Sequence, residues 1–172
     1  MEILQKHGEE YVRRKARFQS WLDSVPKWHD YFVFTSNEET YFTKPKKPLA
    51  ESKLALVSTA GIHLKSQEPF DVHSEYGDWS YRQIPADSPA TDILISDTHY
   101  DHSDADQDIN CLFPISHALT LAKDGFIGSV ATNHYGFMGY VPNPNDLIAK
   151  TAPEVANLLK EDGVDIVFLT PG

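Results

Sequence analysis

The sequence has a single cysteine, Cys111, among its 172 residues. One thiol closes no internal disulfide, which excludes the stapled architecture of small secreted domains. Basic residues are also scarce: 15 Lys and Arg stand against 25 Asp and Glu, a formal net charge of -10. A chain of that sign lacks the basic face that nucleic acid requires. No run approaches the ~20 apolar residues that span a bilayer. The opening MEILQKHGEEYVRRKARF is charged throughout and holds no apolar signal-peptide core. The expected setting is therefore the reducing cytoplasm, with neither membrane nor nucleic acid as partner. Also missing are a serine in a nucleophile elbow, a Walker-type phosphate loop, internal repeats and low-complexity segments.

What is present suits one globular core. Hydrophobic residues make up 41% and charged residues 23% of the chain, ordinary values for a domain of this length. Residues 1–50 read as an N-terminal helix and an irregular aromatic arm. Tyr11, Phe18, Trp21 and Leu22 share one face of a helix over residues 3–23, and Pro26 marks its end. Residues 51–172 read as an α/β domain. Short apolar runs at 54–58, 92–96, 126–130 and 164–169 predict strands, with a weaker one at 78–84. Helices are predicted from Pro114 to Lys123, stopped by Gly125, and over about 145–162, with Pro153 inside and Gly163 at the end. This order predicts an open, mainly parallel, Rossmann-like sheet with helices on both faces.

Three polar constellations follow predicted strands. Ligands of open α/β sheets bind beyond the carboxyl ends of strands, so each is a candidate site. The densest runs from Ser96 to Asp108, with two histidines and five aspartates. These residue types suit a divalent metal or acid–base work. The metal reading takes Asp97, His99, Asp101 and His102 as ligands of a metal-binding protein or hydrolase. Their spacing differs by one residue from the H-x-H-x-D-H pattern of the metallo-β-lactamase superfamily, Asp97 replacing the first histidine. Aspartates after a strand also serve as turn formers and caps. The second constellation is Asn133 to Tyr140, where His134 and Tyr135 are candidates for holding a substrate carboxylate. The third is Ser58-Thr59-Ala60-Gly61-Ile62-His63, where Gly61 and His63 are candidate binding residues beside backbone N–H groups open to an anion. Cys111, just before a helix, is either a reactive thiol or a small buried hydrophobe.

The chain closes with the predicted strand Val164 to Leu169 and then Thr170-Pro171-Gly172. A buried parallel strand is ordinarily followed by a loop and a helix, so a missing C-terminal part is expected. Several segments occur together and in order: Ser58-Thr59-Ala60-Gly61 with His63; His99-Tyr100-Asp101; Asp104 to Asn110; Phe113-Pro114; Asp124 to Gly128; Ala152 to Lys160; and Glu161 to Thr170. In these, from about Leu56 to Gly172, the sequence resembles the selenoprotein B family of glycine, sarcosine, betaine and D-proline reductases.

The resemblance implies an oxidoreductase subunit. It implies a selenocysteine or cysteine nucleophile in the loop after the strand 164–169, directly beyond Gly172. Selenocysteine is encoded by UGA, so the chain is expected to be truncated at that codon and inactive as it stands. The resemblance further implies a small amino-acid-like substrate whose C–N bond is cleaved reductively. A thiol or thioredoxin-type reductant is implied, as is a pyruvoyl group on a partner subunit. His99, Asp101 and His102 would then surround the nucleophile, Cys111 would be a resolving thiol, and His134 and Tyr135 would bind substrate. A homodimer or a non-catalytic subunit built on the aromatic arm is the remaining reading.

Overall fold

A computed structural model describes residues 43–97 and 100–172, together with Val12. The chain divides after Phe34 into two units, the second of which holds nearly all of the described residues. The helix expected over residues 3–23 and most of the aromatic arm lie outside the described residues.

The second unit is a mixed α/β fold around a curled, mostly parallel sheet. Its elements are β1 (Lys53–Ser58), β2 (Ile62–Leu64), β3 (Tyr81–Pro85), β4 (Ile93–Ile95), α1 (Ile115–Lys123), β5 (Ser129–Val130), β6 (Asn133–Phe137), α2 (Ala152–Glu161) and β7 (Ile166–Thr170). β1 is the hub. One of its edges pairs in parallel with β7 over Leu54 to Ser58. The other edge is shared: β5 takes Lys53 and Leu54, and β6 takes Val57 and Ser58, both in parallel. β3 then adds antiparallel to β6.

Alternation along β1 sends side chains to two cores, one on each face of the sheet. Leu56 joins Ile62, Ile84, Phe113 and Ile115, at the start of α1. Val57 joins Tyr135, Phe137 and, from α2, Val155 and Leu159. Each helix closes in the same way. Gly125 and Gly163 take φ of 76° and 71°, and the next N–H bonds back five residues, Phe126 to Leu121 and Val164 to Leu159. Pro153 does not split the second helix. It is the second residue of α2, and a π-helical turn over Leu147–Thr151 runs directly into it, so the helical run changes its bonding pattern at the proline without breaking.

Three strand expectations change. The 92–96 run forms β4, but it pairs antiparallel with β2 in a separate two-stranded ribbon. Asn133 to Phe137, read from sequence as a loop, is an internal strand. Gly136 lets it cross directly beneath the Ile62 carbonyl, too close for any side chain. The last strand, expected to be fully buried, is exposed: Phe168 by 50% and Leu169 by 71%. Its only partner among the described residues is β1, so its outer edge and much of both faces stay open.

Candidate functional site

β1 and β7 run in parallel, so their carboxyl ends lie side by side. The chain past β1 is drawn back across this end. The Thr59 N–H donates to the Thr170 carbonyl at 2.9 Å, and the Gly61 N–H to the Phe137 carbonyl at 2.8 Å. Hydroxyls at the last position of each strand reach the same acceptor. Ser58 Oγ donates to the Leu112 carbonyl at 3.2 Å and Thr170 Oγ1 at 2.6 Å. The turn holding Cys111 is thereby tied to both strand ends, and the cysteine itself is exposed.

Tyr100 covers this edge. Its hydroxyl donates to the Ala60 carbonyl at 2.9 Å. Burial first, and then the charges of Asp97 and Asp106, push its pKa up to about 12, so it stays a neutral donor. Gly172 lies directly against Ala60 and the Tyr100 ring. Asp97 is only 3% exposed and lines the same corner, its carboxylate and backbone facing Gly139 and Gly61.

The candidate residues fall into separate groups. His102 is partly exposed; its Nδ1 lies 2.9 Å from Asp106 Oδ2 and its ring stands edge-on to Tyr100 at 5.7 Å. Asp101 is exposed and accepts the Ser103 N–H, which holds its carboxyl below the usual value. His99 lies outside the described residues. Gly61, with φ of 68°, turns the chain out of β1 toward β2. His63 is buried on β2. Among the described residues no three His, Cys, Asp or Glu side chains gather closely enough to hold a metal ion.

His134 and Tyr135 are not at this edge's surface. Tyr135 packs between the Tyr81 ring and α2. His134 is 0% exposed. β6 spends five residues, Val130 to Tyr135, where β1 spends three, Leu54 to Val57, so the ladder has a gap. The His134 ring fills it: the Leu56 N–H donates to Nδ1 at 2.9 Å. An accepting Nδ1 places the hydrogen on Nε2, which has no partner among the described residues. Burial holds the imidazole neutral, its pKa lowered to about 4.

Sequence reasoning passed over Tyr100, Thr170 and the Leu112 carbonyl. A signal existed for Thr170 and Ser58, which are hydroxyl residues closing two apolar strands. None existed for a carbonyl acceptor, whose place is set only by the turn around it.

A family model described as glycine/sarcosine/betaine reductase selenoprotein B matches residues 27–172. The chain belongs to the selenoprotein B family. A curated relative, D-proline reductase subunit gamma of Acetoanaerobium sticklandii, is 43% identical over 131 residues, covering 76% of this chain and 53% of the relative. The chain thus spans about half the length of that relative. No solved structure matches it. The selenoprotein B match covers every residue of the edge described above, from Ser58 to Gly172. No helix among the described residues is long and apolar enough to cross a membrane.

Proposed function

We propose that this chain is the cradle of a selenol or thiol nucleophile in a reductase subunit that cleaves a C–N bond, with the nucleophile directly after Gly172. The observation that carries the reading is the convergence of separate family segments on one sheet edge. Residues 58–61, Tyr100, Leu112 and Thr170 are joined there by hydrogen bonds, and Gly172 packs among them. A residue following Gly172 would start from the carboxyl end of a parallel strand, where α/β folds place their chemistry.

On this reading the selenolate or thiolate attacks the carbon that bears nitrogen. The new bond to carbon forms as the C–N bond breaks, and the electron pair leaves with nitrogen, which takes a proton. His102, oriented by Asp106, is the proton donor. A dithiol of thioredoxin type then supplies two electrons. One thiolate takes the selenium or sulfur, the carbon departs with the pair and is protonated, and the second thiol frees the nucleophile as a disulfide forms. For amino substrates such as glycine or D-proline, a pyruvoyl group on a partner subunit would hold the substrate. His134 and Tyr135, being buried, have no part in this reading.

The test is reduced-product formation by the full-length protein with its partner subunit and a dithiol: amine release from glycine, sarcosine or betaine, and a ring-opened primary amine from D-proline. Turnover of at least one is expected, and His102→Asn should lower kcat by about two orders of magnitude with KM little changed. No product from any of them would overturn the function, and an unaltered kcat would remove His102 from the mechanism.

A further inference from the structure

Residues 105–109, within the family segment Asp104 to Asn110, also form one wall of an open cleft of about 550 Å³, and of these the reductase reading uses Asp106 alone, through its contact with His102. β4 and the turn before it form the other wall, and none of the residues at the Gly172 edge lines it. His63 does line it. The residue is 4% exposed, and its Nδ1 lies 2.9 Å from the Leu64 carbonyl. A carbonyl only accepts, so Nδ1 carries the hydrogen and the neutral ring presents a bare lone pair at Nε2. Among the described residues Nε2 has no partner, yet it is not sealed from solvent as the Nε2 of His134 is.

Asp106 and Asp108, two acidic residues, line the same cleft. One oxygen of each is committed, to His102 and to Asn110. Among the described residues no Lys or Arg lines the cleft, and much of the remaining surface is apolar, including Ile93, Ile95 and Ile109. An anion finds no positive partner there. A metal ion finds no set of three ligands among the described residues. A quaternary ammonium ion favours an aromatic cage, and among the described residues no aromatic carbocycle lines these walls. The complementary ligand is small, carries N–H donors on a positive nitrogen, and has a short apolar body.

We propose that this cleft binds a primary or secondary organic ammonium ion, with His63 Nε2 and the Asp106 carboxylate as its acceptors. The site is separate from the Gly172 edge and does not rest on the reductase reading, since its test reads binding rather than turnover. The experiment follows the His63 ring signals by NMR in the 172-residue chain during titration with n-propylammonium, propionate and tetramethylammonium. Only n-propylammonium is expected to move them saturably. Asp106→Asn, at a largely exposed side chain, should weaken that binding roughly fivefold. His63→Gln should abolish the calorimetric signal for the same probe. Unmoved His63 signals, an equal response to propionate, or unchanged affinity in both variants would overturn the proposal.

Discussion

His134 shows how a polar residue can be structural for reasons the sequence hides. It sits in a motif with glycines and tyrosines that reads as a binding loop, but its ring replaces a missing backbone acceptor inside the sheet. The two-residue excess of β6 over β1 creates the vacancy, and no local pattern announces it. The consequence is a pH dependence. The imidazole falls from 6.5 unfolded to about 4 folded, so the unfolded chain binds the extra proton between those values. Stability is full above about pH 6.5 and declines as pH falls toward 4, by about 3 kcal/mol in total. The shifted aspartates do not share this window, because Asp162 and Asp165 are lowered from 3.8 and act only below it. Urea midpoints measured between pH 7 and pH ~4.5 should drop, and His134→Phe should flatten the slope while lowering stability throughout. An equal slope in the variant would assign the effect elsewhere.

At the level of elements, strands with a clean apolar run were legible: 92–96 contains β4, and 54–58 and 164–169 overlap β1 and β7, each of which runs one residue beyond the expected bounds. So were both helices, because Gly125 and Gly163 stand where the chain must turn left-handed. Partnership was not legible. β4 has the composition of a parallel-sheet strand, but β2, turned out of β1 at Gly61, takes it as an antiparallel partner across the intervening β3 segment. β6 was missed since its Gly136 reads as a loop residue; the glycine is there for the close crossing of Ile62. The two glycine roles separate experimentally. Around Gly163 there is open space, so Gly163→Ala should cost only the left-handed backbone penalty, about 1 kcal/mol. Gly136→Ala forces β6 away from β2 and should cost about 2–3 kcal/mol. Chemical denaturation of the two variants checks the order, and equal losses would contradict it.

For the whole molecule, the family segments scattered over 115 positions of sequence, from Ser58 to Gly172, meet at one end of the β1–β7 pair. The sequence marked that end as a candidate place for chemistry, whereas the contacts that build it, Tyr100 to Ala60 and Thr170 to Leu112, needed the fold. The same strand leaves Val167, Phe168 and Leu169 exposed along an edge with no charge to guard it. The 172-residue chain is therefore expected to self-associate as its concentration rises, and Phe168→Lys with Leu169→Lys should suppress this in sedimentation runs. Unchanged association in the double variant would place the contact on another surface. The central claim, a nucleophile cradled at Gly172, is tested most directly by reading the gene across the codon that follows Gly172. A UGA or cysteine codon, with an open frame continuing beyond it, is the predicted result. A UAA or UAG codon, or a codon for any other residue, would contradict it.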